Sequence, residues 1–431
     1  MTELSLCLSS LNVELTILIR FSGKKCPAMV ANFLMIFAPR TSQIDSKNQQ
    51  TIHIPQIHRN TNEFRSNVKV FIDKYGNQFP QSHKLSEFIK SLSADECFNL
   101  IVNPKDFSIK EKFCFTAGLL ARNEGAVYDE LIADFDEKYG DVLDAYRLIT
   151  IPVLGKFRIG EPKKNIRVCR FCGKSMGDGA TFTKVAHAIS ESLGNQKLFL
   201  NEECDDCNDY FSRSVERDIA LYFRPSFSLL GFRGKEKRNI KAVGSNFRLS
   251  NLDGRNIRIE INGDCPVPAG QPLPLDLELC FHGNERIILQ NIYKALVKYA
   301  LSVIDSADLK EFGSTITWLR NDTFKNKLPK VATLSFDRVI EEHPKIALWV
   351  RKNERNDLPY AVCEFRSAFY IFVFIVPTFA ANSPSFLDES EFENYWEFFP
   401  FWSNCDQWSF IDLSTSEPKK LIFNIQLERG E

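Results

Sequence analysis

The spacing of apolar residues changes along the chain, and each change predicts a different element. Asn12–Phe21 reads as a strand, whereas Arg40–Asn62 is polar and rich in Ser, Gln and Asn and predicts a loop or linker. Helical spacing then predicts helices at His83–Leu92, Ile109–Arg122 and Ala126–Tyr139. Asn123-Glu124-Gly125 separates the last two, and Gly140 predicts the end of the third. Towards the C-terminus the pattern favours strands. Asn246–Asn262 alternates like a hairpin around Asn251-Leu252-Asp253-Gly254, Pro266–Pro274 predicts a rigid connection, and Leu275–Phe281 reads as a strand. Glu285–Ile304 predicts an amphipathic helix with Ile288, Ile292, Ala295, Leu296 and Ala300 on one face. Ala347–Arg351, Tyr360–Phe365 and Tyr370–Val376 predict strands, the last buried on both faces. Glu391–Trp408 gathers Phe with Trp396, Trp402 and Trp408; it reads as core, with a base-stacking or ligand platform as the alternative.

Between these regions Thr181–Ile189 is β-rich, and its alternation sets Phe182, Lys184 and Ala186 against Thr183, Val185 and His187. A helix is predicted over Asp205–Tyr222. The expected fold class is α+β in three parts: a mixed, largely helical region at 1–160, a small module at 161–225, and an α+β domain with antiparallel strands at 226–431.

Composition narrows the class. A hydrophobic fraction of 44% and a charged fraction of 25% are those of a soluble globular protein, and 37 Phe predict aromatic-rich cores. Net charge is −1, so the chain as a whole is no polyanion-coating protein. From Lys156 to Lys241, however, 17 Lys and Arg face 11 Asp and Glu. Lys163, Lys164, Arg167, Arg170 and Lys174 crowd one end of that stretch, and Arg224, Arg233, Lys235, Lys237, Arg238 and Lys241 the other. Such a distribution suits a phosphate backbone. No apolar run reaches the length of a membrane span, and the start lacks the pattern of a secretory signal; Met29 and Met35 are alternative starts. The 12 Cys include eight scattered singly, which implies a reducing, cytoplasmic setting.

The other four are paired: Cys169-Arg-Phe-Cys172 and Cys204-Asp-Asp-Cys207. Two x2-spaced pairs supply the four thiolates of a closed, structural zinc site. Between them lies His187, in Val185-Ala-His-Ala-Ile189, and immediately after them Asn208. With Leu193-Gly194-Asn195, these residues make Cys169–Ala220 resemble the HNH endonucleases of the ββα-metal class, in particular their zinc-stapled branch. The flanks resemble no family.

The resemblance implies a phosphodiesterase that needs a divalent metal such as Mg²⁺ and acts on nucleic acid, double-stranded DNA most often and RNA as the alternative. It implies His187 as general base, Asn208 as a ligand of the catalytic metal and Asn195 as the residue orienting the base. Imidazole titrates in the range such a base requires. Asn208 also suits a helix N-cap and Asn195 a turn. The sequence departs from the wider pattern at Ala186, where many members carry a metal-binding Asp, Glu or His. A backbone carbonyl or another acid, Glu191 or Glu216, then supplies the ligand, or metal binding is weaker; both acids also read as surface charges. Ala186 and the acidic run Asn201–Asp206 favour a rival reading, a zinc-stapled nucleic-acid-binding or assembly module without cleavage. The layout, a small nuclease between larger regions, suits a prokaryotic restriction or phage-defence effector.

Overall fold

The computed structural model describes residues 2–427 apart from 22–26, 39–42, 45–49, 52–53, 105–106, 152–154, 233–238, 252–255, 262–276, 322–326, 337–339 and 380–383. The proline-rich connection, the turn after Asn251 and the basic run 233–238 lie outside the described residues. The chain divides into two compact units, Met1–Glu137 and Lys138–Glu431.

In the first unit β1 (Thr2–Ser9) and β2 (Glu14–Phe21) form an antiparallel hairpin. Helix α1 (Pro27–Met35) follows, then β3 (Ile57–Arg59), α2 (Asn62–Tyr75), α3 (Gln81–Ser91) and β4 (Cys97–Val102). The sheet runs β2-β1-β4-β3, all antiparallel. Leu6, Leu8, Ile17 and Ile19 point from it into a core with Phe33, Phe64, Phe71 and Phe88. Local chemistry sets the helix starts. The Thr61 hydroxyl accepts from Phe64 N at 3.1 Å, and Ser108 with Glu111 forms a capping box at the start of α4 (Ile109–Asn123).

Helix α5 (Tyr128–Ala145) runs on through Gly140, where the sequence predicts a stop. Val142 and Ala145 beyond it are buried in an aromatic core with Trp349, Tyr395 and Phe399. Burying a Val is worth about 1.5–3 kcal/mol, against about 1 kcal/mol for a helical Gly, so packing prevails. That core also holds Trp396 and Trp402, so the aromatic cluster is interior, as expected.

The second unit is built on a six-stranded antiparallel sheet. Its strands in chain order are β5 (Tyr146–Thr150), then Val331–Ser335, Glu341–Arg351, Ala361–Ala368, Tyr370–Ile375 and Ser409–Ile411. The predicted hairpin is present as Phe247–Asn251 paired with Ile257–Ile261. A small three-stranded sheet joins β6 (Phe157–Ile159), β7 (Ala186–His187) and β8 (Leu198–Leu200), with β8 central. Helices α6 (Asp205–Arg213) and α7 (Val215–Leu229) replace the single helix expected over 205–222. They break at Ser214, whose φ of −109° and ψ of −98° are not helical.

Helix α8 (Leu289–Val303) starts later than predicted, because Glu285–Ile288 completes the strand Leu277–Ile288. Instead of one buried face it is buried almost all round, Lys294 and Lys298 included. It lies in a core that joins Cys169, Phe171 and Phe211 to Leu296 and Tyr299 and to Leu348 and Phe365 of the large sheet. The architecture is α+β, and no described helix is long and apolar enough to cross a membrane.

Candidate functional site

The turn after Cys169 brings the first thiol pair together. Gly173, at φ 69°, takes a left-handed conformation that suits Gly, and its N–H donates to the Cys169 carbonyl at 2.8 Å. Cys204 is the N-cap of α6, and Cys207 lies in its first turn. The four Sγ atoms lie within 4.8 Å of one another, with Cys172 and Cys204 at 3.6 Å. Ligands about 2.3 Å from a tetrahedral zinc would be about 3.8 Å apart, so this cluster fits that ion. A hydrogen bond from Cys207 lowers the Cys169 thiol to about 5; burial opposes this, and backbone N–H groups including that of Cys204 add to it. Burial raises Cys204 to about 12, with the neighbouring Cys169 thiolate contributing, and the Cys169 hydrogen bond and burial raise Cys207. Without a cation one thiolate suppresses the others; a divalent ion would reverse that.

Asp205, the first residue of α6, explains why the β-rich run Thr181–Ile189 forms a strand only at Ala186–His187. Its carboxylate accepts from the hydroxyls of Thr181 and Thr183 at 2.7 and 2.6 Å and from the Thr183 and Lys184 N–H groups at 3.1 and 2.9 Å. Burial opposes ionisation, yet these bonds hold its carboxyl down at about 2. Residues 181–184 are thus fastened to the helix that carries Cys207, and the chain enters the ladder only at Ala186, which pairs with Leu200 beside the His187–Phe199 pair.

His187 is half-buried against the Phe199 ring, 4.9 Å between centroids. It lines a cleft of about 700 Å³ together with Glu191, Asn208, Glu216, Arg217 and Arg224. Burial pushes its imidazole below the ordinary histidine range; Lys298 acts the same way, and Glu191, the Asn195 backbone and Glu216 oppose it. Nδ1 is buried and has no partner in hydrogen-bond geometry, although the Asn195 backbone is near enough to favour the protonated ring. A proton on Nδ1 facing that backbone would leave Nε2 as the acceptor open to the cleft. The Asn208 amide makes no hydrogen bond among the described residues, while its backbone N–H continues α6 to the Cys204 carbonyl at 2.9 Å.

Residues 169–223 match the family model described as HNH endonuclease. This stretch is an HNH domain. No curated protein and no solved structure matches the chain.

Asn195 has a definite task in the HNH domain. Its Nδ2 donates to the carbonyls of Ile189 and Leu198 at 2.6 and 2.8 Å, and its Oδ1 accepts from the N–H groups of Lys197 and Leu198 at 3.1 and 2.9 Å. The side chain therefore clamps the 189–198 loop, and only the backbone of Asn195 faces His187. Asn195→Ala would leave several of these buried groups unpaired. It is expected to destabilise the protein by about 1–3 kcal/mol, read by urea denaturation, with the four thiols still metal-loaded.

Ala186 is buried, its methyl side chain carries no ligand atom, and it is not among the residues that line the cleft of the HNH domain. Of the two acids that could replace it, Glu191 is exposed. Glu216 is buried at the cleft wall, and its Oε1 accepts from Lys298 Nζ at 3.0 Å. Lys298 and Glu203, 3.1 Å apart as an ion pair, are the groups sequence reasoning misses. Lys294 and Lys298, four residues apart in the mostly apolar run Ile292–Leu301, were the available signal. Burial raises the Glu203 carboxyl to about 7, with Lys298 opposing; burial lowers Lys298, but Glu203 and Glu216 outweigh it and hold its ammonium above the ordinary lysine range. Glu203 belongs to the acidic run Asn201–Asp206, in which Asn201, Glu203 and Asp205 are also buried.

The basic residues around the first Cys pair divide in two. Lys163, Lys164 and Lys174 are exposed. Arg167 and Arg170 are buried: Arg167 donates to the Glu161 and Pro162 carbonyls, each at 2.8 Å, and Arg170 to Glu202 at 2.8 Å and to the Ile304 carbonyl, just past the end of α8, at 2.6 Å. Those two arginines hold structure and are not free for phosphates. Arg217 and Arg224 stand at the cleft, each paired with Glu285, at 3.4 and 3.6 Å.

Proposed function

We propose that this protein is a metal-dependent endonuclease that hydrolyses phosphodiester bonds in double-stranded DNA. The observation that carries the reading is the meeting of His187, Asn208 and Glu216 in one cleft of the HNH domain, beside the four-thiol cluster. Cys169, Cys172, Cys204 and Cys207 would hold structural zinc. The Asn208 amide oxygen and the free oxygen of Glu216 would hold Mg²⁺ or a similar hard cation, for which oxygen donors are suited. When bound, that cation neutralises charge on the scissile phosphate and the leaving oxygen. His187 removes the proton of the attacking water at Nε2, with the Asn195 backbone on its Nδ1 side. Exposed Lys163, Lys164 and Lys174 and the cleft arginines steer the DNA backbone. Residues 161–225 would act as the nuclease, with 1–160 and 226–431 selecting or sensing its substrate in a cytoplasmic restriction or phage-defence effector. Nicking of supercoiled plasmid by the full chain, with and without Mg²⁺ or Mn²⁺, tests this directly; RNA as substrate is the alternative arm. The buried Ala186 favours a second reading, a zinc-stapled binding module that retains DNA without cutting it.

The pH dependence follows from the depressed imidazole. A base whose pKa is lowered stays neutral further into acid, and activity is lost only as pH falls through that lowered value. The acid limb of kcat/KM is therefore expected below the ordinary histidine value of 6.5. A limb centred above it, in a pH–rate profile of plasmid cleavage, would show that burial does not tune the base.

A further inference from the structure

Lys298 lies on α8, beyond the matched stretch that ends at residue 223, and is 1% exposed. Its Nζ donates to the His187 carbonyl at 3.1 Å and to Glu216 Oε1 at 3.0 Å. It pairs with Glu203 Oε2 at 3.1 Å, and the rings of Phe171 and Phe211 flank it at 5.9 and 5.8 Å. All five groups belong to the HNH domain.

An ammonium is a poor means of merely fastening a helix to a domain. Taking a charge out of water costs several kcal/mol per ion, and apolar side chains in place of a whole buried ion pair often pack at least as well. Lys294, four residues earlier and equally buried, donates to the Asn321 carbonyl at 2.7 Å and so holds the C-terminal region to itself. Lys298 instead meets two groups of the candidate active site. Strand β7 is only two residues long, so the Phe199 pairing leaves His187 weakly held. The ammonium grips its carbonyl independently of that ladder, and the same atom fixes one oxygen of the Glu216 carboxylate at the cleft wall.

We propose that Lys298 is a positioning residue of the nuclease site, which fixes the His187 backbone and the Glu216 carboxylate and so makes the HNH domain competent only when α8 is seated. The inference rests on reading that domain as a metal-dependent endonuclease.

The test uses the full chain, supercoiled plasmid and saturating Mg²⁺ or Mn²⁺. Misplacing a reacting group by about 1 Å costs on the order of 100-fold, so folded Lys298→Met is expected to lower kcat by about that factor with KM and zinc content little changed, while its melting temperature falls because Glu203 and Glu216 lose their buried cation. Lys298→Arg, which keeps a cation, should recover much of the loss. Should Lys298→Met fail to fold because Glu203 and Glu216 are left unpaired, the double variant Lys298→Met, Glu203→Gln restores the charge balance and takes its place. Lys294→Met is the control for stability alone, expected to melt earlier yet cut with unchanged kcat. A folded Lys298 variant without a cation that cuts at the wild-type kcat overturns the inference, as does a Lys294→Met protein that loses as much kcat. Wild-type protein that cuts no nucleic acid with any divalent metal overturns the nuclease reading itself.

Discussion

His187→Ala is expected to remove metal-dependent cleavage, slowing it by about 10²–10⁴, the contribution typical of a general base. The fold should survive. His187 contributes to the small sheet through its backbone, paired with Phe199 and held by Lys298, and both contacts persist with Ala. Its ring is half-buried and makes no side-chain hydrogen bond among the described residues, so truncation loses one contact with Phe199. Binding of plasmid DNA, zinc content and the melting transition should therefore match wild type, and only the rate should fall. A variant that cuts at the wild-type rate would take His187 out of the mechanism and send the search for the base to Glu216 or Glu191, the remaining titratable acids of the cleft. Equal inactivity of wild type and variant, with DNA binding intact, would support the rival binding module.

The site was legible in the sequence where spacing carries the chemistry. Two Cys-x-x-Cys pairs fix four ligands whatever the surrounding fold, and the family match covers that same stretch. What could not be read were interactions made across the chain. The Asp205 carboxylate holds Thr181–Lys184 out of the strand expected over Thr181–Ile189, and it does so with bonds spanning 21 to 24 residues. Glu203 and Arg170 look like surface charges in any window, because the partners that bury them lie on or just past α8. The apolar spacing shows helix α8 as amphipathic, but periodicity finds an apolar face and cannot show that the opposite face is also covered. Gly140 failed as a stop for the same reason, since burial of Val142 and Ala145 outweighs a local preference.

Cys204→Ser is expected to be a folding lesion. A serine hydroxyl does not ionise near neutral pH, so the fourth thiolate is lost and the cluster opens. Structural zinc contributes on the order of 10 kcal/mol in such modules, comparable with the whole 5–15 kcal/mol stability of a typical domain. The position makes the loss spread. Cys204 caps α6, its N–H donates to Cys169 Sγ at 3.4 Å, and the next residue, Asp205, anchors Thr181 to Lys184. Opening the cluster therefore releases both the helix that carries Asn208 and the segment leading into His187. Because Cys169, Cys204 and Cys207 share one core with α8 and the large sheet, the damage should appear as a lowered, broadened melting transition of the second unit and not as local fraying. A chelator strong enough to strip zinc from wild-type protein should reproduce it, and added zinc should reverse it in wild type only. Elemental analysis is the decisive measurement: about one zinc per chain in active protein is expected, and active protein without tightly bound zinc would mean that the four thiols hold the fold by packing alone.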